Sequence, residues 1–327
     1  MKVGALQFFG WPNREKPIAD IYTRAMQRID LMESAGFDAV WLAEHHFTGY
    51  SVCPSVHMMG VHIAARTERL RIGTGVSLPS LSHPLRVAEE VALLDVLSDG
   101  RVNWGAGRGF DPREHQVFGV ESQDSKPKFH EFFQAVVESW GEGPVSFAGD
   151  YVSYDSVEVL PRSVQQPHPP VWIGASSLEA LLWAAERGYS VLMDPHSTHQ
   201  EIADKRREYE NTLRDNGFAI EGRDIPISRQ IAIGSTDKEG REIARRACEW
   251  LLGVYDESMP VSGNRRATLH GQTVDEYIDG CVLWGTPARV IDQIERLKEE
   301  ASMDHLMIAP LSEKSFQLFV NQLVPRI

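Results

Sequence analysis

The sequence has few cysteines and no long apolar run, and each absence excludes a class of protein. Its three cysteines are widely separated, form no Cys-x-x-Cys pair and are too few for a disulfide framework, which is typical of a reducing compartment. No apolar stretch approaches the roughly 20 residues that cross a bilayer. The first residues run into a strand-like segment without a cleavable leader, so we expect a soluble, cytoplasmic protein.

Basic residues are also scarce relative to acidic ones. Lys and Arg total 33 against 46 Asp and Glu, which gives a formal net charge of −13. A nucleic acid or an anionic membrane surface would favour a clustered basic face, so we expect neither as a partner. Hydrophobic residues make up 42% of the 327 residues, enough for a substantial core.

Strand-like and helix-like apolar patterns alternate along the chain. The predicted strands are 3–9, 37–47, 69–80, 102–108, 171–175, 189–194, 227–234 and 305–309. The predicted helices are 18–36, 55–66, 84–97, 128–140, 178–187, 200–216, 239–252, 288–300 and 316–324. Eight strand–helix units without a flexible linker predict an α/β fold of the (β/α)₈ TIM-barrel type, as one domain over residues 1–327.

Two segments interrupt this alternation. Residues 144–161 alternate around Gly149-Asp150 and predict an inserted β-hairpin, whereas residues 253–280 fit neither period and predict a long insertion before the last unit. A doubly wound open sheet is the rival fold. It would normally carry a glycine-rich phosphate fingerprint after its first strand, and Gly10-Trp11-Pro12-Asn13 is not one.

Polar residues follow the predicted strands where a barrel places its active site. Glu44, His45 and His46 lie at the carboxyl end of the second strand, and histidine suits acid–base chemistry near neutral pH. Adjacent residues on a strand point to opposite faces, which disfavours one metal ion shared by both histidines. Two histidines that merely end a strand with core hydrogen bonds are the alternative.

An anion site is predicted at the ends of the fourth and fifth strands. Glycines around Arg108 allow a planar ligand to approach the backbone, and Arg108 offers a fixed charge to a phosphate. Ser176 and Ser177 open a helix whose free N–H groups suit an anion. A surface arginine and an ordinary serine cap remain the alternatives.

Several motifs, in this order, resemble the bacterial luciferase-like flavin-dependent monooxygenases over nearly the whole chain. They are Gly36–Phe47, Arg71–Gly75, Leu78-Pro79, His83-Pro84, Ser98–Arg101, Gly105–Gly109, Val117–Gly119, Trp183–Gly188 and Gly285–Pro287. The resemblance implies a barrel that binds FMN, reduced by a separate flavin reductase. It further implies that O₂ forms a flavin C(4a)-hydroperoxide, which oxygenates a small organic substrate of the aldehyde or ketone class.

The resemblance also implies roles for particular residues. His45 matches the catalytic base, with Glu44 beside it at the flavin site, and Arg108 matches the arginine that grips the flavin phosphate. Lys126 stands in place of a second phosphate-binding arginine. Lysine keeps the positive charge but cannot form the two parallel hydrogen bonds that a guanidinium group donates. The remaining expected cofactor-binding residues are Gly75, Val76, Gly107, Ala175, Ser176 and Ser177.

Departures and alternatives accompany the resemblance. Gly107 replaces a cysteine of the light-emitting subunit, which favours a monooxygenase that emits no light. The rival functions are a deazaflavin-dependent dehydrogenase on the same barrel and a non-catalytic flavin-binding protein. Family resemblance implies a homodimer formed through the apolar helices after the second and third strands, and packing of those helices on the barrel alone would give the same pattern.

Overall fold

The computed structural model describes residues 1–258 and 273–327 of the chain. Its strands are β1 Lys2–Gln7, β2 Ala39–Leu42, β3 Arg71–Thr74, β4 Val102–Ala106, β5 Val145–Ala148, β6 Ser153–Val157, β7 Val171–Ala175, β8 Ser190–Met193, β9 Ile227–Ile233, β10 Val282–Gly285 and β11 His305–Pro310. The α-helices are α1 Ile18–Ala35, α2 Val56–Ala64, α3 Pro84–Leu97, α4 Pro112–Val117, α5 Ser125–Ser139, α6 Leu178–Ala185, α7 His199–Asp215, α8 Asp237–Ser258, α9 Val274–Cys281, α10 Pro287–Glu300 and α11 Glu313–Leu318. None of the described helices is both long and apolar enough to cross a membrane.

The main sheet is a closed parallel barrel. Its strands are hydrogen-bonded in the order β10-β9-β11-β1-β2-β3-β4-β7-β8, and β8 also pairs with β9. Without β10, an extra short strand on β9, the other eight close a ring in chain order with helices between them. The predicted (β/α)₈ barrel is confirmed. The antiparallel β5–β6 pair confirms the inserted hairpin.

Local sequence signals account for many element boundaries. The predicted third helix has the observed bounds of α3, and it begins with a proline, whose missing N–H is no loss in a first turn. Helix α7 begins with a capping box in which Thr198 and Glu201 exchange hydrogen bonds. Thr273 and Glu276 form the same motif at the start of α9.

The predicted insertion at residues 253–280 contains regular structure at both of its described ends. Helix α8 continues to Ser258, and α9 occupies Val274–Cys281 before leading into β10. Neither α9 nor β10 was predicted. The middle of the predicted insertion, residues 259–272, lies outside the described residues.

The chain divides into two compact units. Unit 1 comprises residues 1–7, 34–38 and 175–327, and its β9 is buried along its whole length. Unit 2 comprises residues 8–33 and 39–174. In its core the indole of Trp104 stacks on Phe133 with 5.5 Å between ring centroids, and Trp41 meets Trp172 edge-on at 5.3 Å. That the whole chain is a single domain stays a prediction.

Candidate active site

The carboxylate of Glu44 is held on both oxygens just beyond the end of β2. Oε1 lies 3.1 Å from Nε2 of His46, and Oε2 accepts a hydrogen bond of 3.2 Å from the backbone N–H of Leu78. The backbone N–H of Glu44 donates to the carbonyl of Val76 at 3.3 Å. Glu44 therefore ties its own loop to the segment that follows β3.

His45 is fixed by a second carboxylate, that of Glu114 on α4. Its Nδ1 lies 3.6 Å from Glu114 Oε1, and the same oxygen accepts a 2.7 Å hydrogen bond from the backbone N–H of His46. The side chains of His45 and Glu114 are 10% and 2% exposed. Burial opposes the charge of Glu114, but its contacts with His45 and His46 outweigh burial and lower the pKa of the carboxyl overall. An ionised carboxylate thus stands beside the His45 imidazole.

Aromatic side chains surround the His45 ring. The rings of Tyr50, Phe110 and Phe8 lie 4.9, 5.7 and 6.3 Å from it, measured between centroids. The His46 ring turns instead toward Phe118, at 4.8 Å, as well as toward Glu44. The two imidazoles have different neighbours. Strand alternation, on which the sequence prediction was based, is not the cause, because both histidines lie beyond the observed end of β2.

Val76 fills the space between two glycines. A Cβ atom added to Gly107 would lie 2.5 Å from Cγ2 of Val76, and one added to Gly174 would lie 2.5 Å from Cγ1. The sequence predicted that Gly107 makes room for a ligand, yet its nearest neighbour in that direction is this side chain. The Gly75–Val76 peptide bond is cis, and the N–H of Gly75 donates to the carbonyl of Leu42 at 2.7 Å.

Arg108 reaches the first residue of α5. Its Nη1 donates to Oγ of Ser125 at 3.2 Å, and its carbonyl accepts a hydrogen bond from Nε2 of His115 at 3.1 Å. Within residues 1–258 and 273–327, no carboxylate lies within 4.0 Å of its guanidinium. The exposed Lys126 follows Ser125 in the first turn of α5, where the helix dipole is positive. These groups together suit an anion.

The predicted residues Ala175, Ser176 and Ser177 belong to unit 1. Ala175 ends β7, and Oγ of Ser177 caps α6 by accepting the N–H of Ala180 at 3.2 Å. The carbonyl of Ser176 accepts a 2.6 Å hydrogen bond from Nζ of Lys205. Lys205 is therefore a cation beside this turn that sequence reasoning did not identify.

Two further residues of unit 2 were missed, Glu114 and Ser125. Asp111 followed by Pro112 is a helix-start signal, and Oδ1 of Asp111 accepts the N–H of Arg113 at 2.8 Å. That signal predicts a short helix with Glu114 in its first turn. The fourth predicted helix began at residue 128, three residues after the observed start of α5, and so left out Ser125.

The fold and these loops define a barrel enzyme whose polar side chains follow the carboxyl ends of parallel strands. The chain belongs to the luciferase-like monooxygenase family, which it matches over residues 1–305. It is therefore a luciferase-like, flavin-dependent oxidoreductase of the monooxygenase class.

Curated relatives span most of the chain. It is 32% identical over 292 residues to the uncharacterized protein y4wF of Sinorhizobium fredii, covering 88% of this chain and 84% of that one. It is 27% identical to the alkanal monooxygenase alpha chain of Aliivibrio fischeri, covering 81% and 80%. It is 24% identical to the oxygenase component of a flavin-dependent trigonelline monooxygenase of Acinetobacter baylyi, covering 68% and 62%.

Solved structures share the fold along the full length. Monooxygenase RslO1 of Streptomyces bottropensis is 25% identical with a TM-score of 0.83, covering 99% of both chains. The oxygenating constituent of 3,6-diketocamphane monooxygenase of Pseudomonas putida, in complex with FMN, has a TM-score of 0.80 at 16% identity, covering 100% and 99%. An F420-dependent secondary alcohol dehydrogenase has a TM-score of 0.81 at 18% identity, covering 100% and 98%.

Proposed function

We propose that this protein uses reduced FMN and O₂ to oxygenate a small organic substrate of the aldehyde or ketone class. The observation that carries the proposal is the pair of contacts made by neighbouring residues of α4. Glu114 contacts the His45 ring, which aromatic side chains surround. His115 forms a hydrogen bond with the backbone carbonyl of Arg108. One short helix thus links a candidate acid–base group to a candidate phosphate group.

Arg108, Ser125 and Lys126 would hold the phosphate of FMN. Arg108 contacts Ser125 at the start of a 15-residue helix whose second residue is Lys126, and Arg108 has no carboxylate competing for its charge among the described residues. Glu44, Gly75, Val76 and Gly107 would border the ring system. Reduced flavin bound there would supply the electrons for activation of O₂ and transfer of one oxygen atom to the substrate.

His45 acts in this proposal as the acid–base residue. Its imidazole is largely buried among aromatic rings, which exclude water and suit an apolar substrate. The ionised Glu114, 3.6 Å from Nδ1, fixes the orientation of the imidazole ring. General acid–base help of this kind is typically worth about 10²–10⁴-fold in rate.

Product analysis with His45→Ala tests the catalytic role. The variant should bind reduced FMN as the wild type does, yet lose about 10²-fold or more of product formation from a panel of aldehydes and ketones. The matched control is His62→Ala, an exposed histidine of α2. Wild-type turnover by His45→Ala would refute the assigned role.

Arg108→Met tests the phosphate site. Reduced FMN and reduced riboflavin are compared as ligands, because they differ only in the phosphate group. Anaerobic titration should show at least about tenfold weaker binding of reduced FMN, because a charged hydrogen bond contributes roughly 1.5–3 kcal/mol. Binding of reduced riboflavin should be unchanged. Equal losses for both flavins would place Arg108 elsewhere than at the phosphate.

The same preparations separate the rival functions. Difference spectra with FMN and with the deazaflavin F420, together with O₂ consumption, distinguish an oxygenase from a hydride-transferring dehydrogenase. The structural similarity to an F420-dependent alcohol dehydrogenase makes this comparison necessary. Reduced FMN that reoxidised only to hydrogen peroxide with every substrate class would favour the non-catalytic flavin-binding protein.

We further propose two protein partners. A separate reductase supplies reduced flavin, which accords with a relative named as an oxygenase component. A second copy of the chain packs on α2 and α3, because both helices expose large apolar side chains: Met58, Val61, Leu93, Val96 and Leu97.

Three free, buried cysteines accord with the cytoplasmic location expected from the sequence.

A further inference from the structure

Unit 1 brings three potential metal ligands together. Asp38 immediately precedes β2, Asp224 precedes β9 by three residues, and His305 is the first residue of β11. One carboxylate oxygen from each aspartate and one ring nitrogen of His305 all lie within 4.8 Å of one another. From their positions relative to β2, β9 and β11, all three residues lie at the amino-terminal ends of strands.

Two of these three side chains each have a buried atom without a hydrogen-bond partner among the described residues. The side chain of His305 is 0% exposed; its Nδ1 lies 2.8 Å from Asp224 Oδ1, and its Nε2 contacts no partner among the described residues. Oδ2 of Asp38 is likewise buried and has no hydrogen-bond partner among the described residues. A buried polar atom without a partner is costly, so native proteins almost always supply one.

We propose that Asp38, Asp224 and His305 bind a divalent transition-metal ion such as Zn²⁺. Two carboxylates carry a charge of −2, which a divalent cation neutralises, and imidazole with carboxylate is a donor set that suits Zn²⁺. Three protein ligands leave a coordination position for water.

Lys2 competes with a metal for this cluster. Its Nζ lies 2.9 Å from Asp224 Oδ2, and its side chain is 53% exposed, so the ammonium group can move into solvent when a metal binds. Burial opposes ionisation of Asp224, but His305 and Lys2 lower the pKa of this carboxyl overall, which leaves an anionic ligand. Because the ligands precede or begin their strands, this metal would stabilise the fold and take no part in catalysis.

Titration of the metal-free protein with Co²⁺ tests the proposal, because bound Co²⁺ gives visible absorption that reports its ligands. We expect one equivalent to bind to the full-length protein and Zn²⁺ to displace it, with a rise in Tm of about 3 °C at saturating Zn²⁺. Asp38→Asn keeps the side-chain volume and should weaken binding at least about tenfold. Asp30→Asn, which alters an exposed aspartate paired with Arg66, is the matched control and should bind as the wild type does.

Lys2→Met supplies a variant with the opposite expected effect. Removal of the competing ammonium group should tighten Co²⁺ binding about tenfold, and a gain in affinity cannot result from misfolding. The proposal fails if the wild type binds no stoichiometric Co²⁺, if Asp38→Asn binds as tightly as the wild type, or if Lys2→Met shows no gain. Flavin binding should be the same in all four proteins, which separates this site from the proposed function.

Discussion

At the scale of single residues, Glu114 is the buried charge that organises the segment after β2. One of its oxygens lies near the His45 ring and accepts the N–H of His46. The pKa of Glu114 is lowered in the folded protein, so its charge stabilises the fold above the unfolded pKa of about 4.5. That contribution is lost as the pH falls through the lower, folded pKa.

Glu114→Gln should therefore destabilise the protein in a pH-dependent manner. Glutamine keeps an acceptor for the His46 N–H but loses the charge, so we expect a loss of about 1–3 kcal/mol at pH 7. The difference from the wild type should shrink below about pH 4. Denaturant unfolding at pH 7 and below about pH 4 measures the difference in stability between the variant and the wild type. The exposed Glu121→Gln is the control. A constant difference across pH would contradict the assigned charge.

Gly107→Ala should be harmful because of Val76. The added methyl group would lie 2.5 Å from Cγ2 of that valine, and such overpacking typically costs about 1–3 kcal/mol. The double variant Gly107→Ala/Val76→Ala removes the clashing atoms and should recover most of the loss. Thermal unfolding of both variants and of Val76→Ala alone completes the cycle. A double variant less stable than either single one would show that the contact is not the cause.

At the scale of secondary-structure elements, the hydrophobic pattern predicted all eight barrel strands because each is a buried run bounded by a helix. Short elements were harder to predict. Helix α4 has only six residues, which is too few to show a helical period in the sequence. Strand β10 has only four residues and adds to β9, which already pairs with two other barrel strands. The same limit applied to the site. Glu44, His45 and Arg108 lie at the carboxyl ends of predicted strands, whereas Glu114 lies on α4, which was not predicted.

The exposed apolar face of α2 and α3 leads to a prediction about assembly. Met58 is 76% exposed and Leu97 is 54% exposed, so a lysine at either position should not disturb the core. If this face forms the homodimer, Met58→Lys and Leu97→Lys should give monomers in light scattering at micromolar concentration. Leu160→Lys, at a 58% exposed position in a loop, is the control and should leave the mass unchanged. A wild-type monomer would refute the dimer.

At the scale of the whole molecule, the three thiols report on the integrity of each unit. Cys53 lies in unit 2, and Cys248 and Cys281 lie in unit 1; all three are buried. Burial raises the pKa of each thiol to about 12, so the reactive thiolate is scarce at neutral pH.

Thiol labelling should therefore be negligible in the native protein at pH 7.5 and should reach all three cysteines in denaturant. Mass spectrometry of peptides labelled at intermediate denaturant concentrations identifies which cysteine reacts first. Simultaneous labelling of Cys53 and Cys281 would support the prediction of a single domain over residues 1–327, and separate transitions would contradict it.

The Glu114 contacts also bear on how such an enzyme can be re-engineered. The segment after β2 and the helix after β4 contact each other through one carboxylate, so we expect a change in either one to disturb the other. A chimera that imports only one of them from a relative would bring a histidine without its carboxylate, or the reverse. Grafts intended to change substrate selectivity should therefore exchange residues 43–53 and 107–118 as a matched pair.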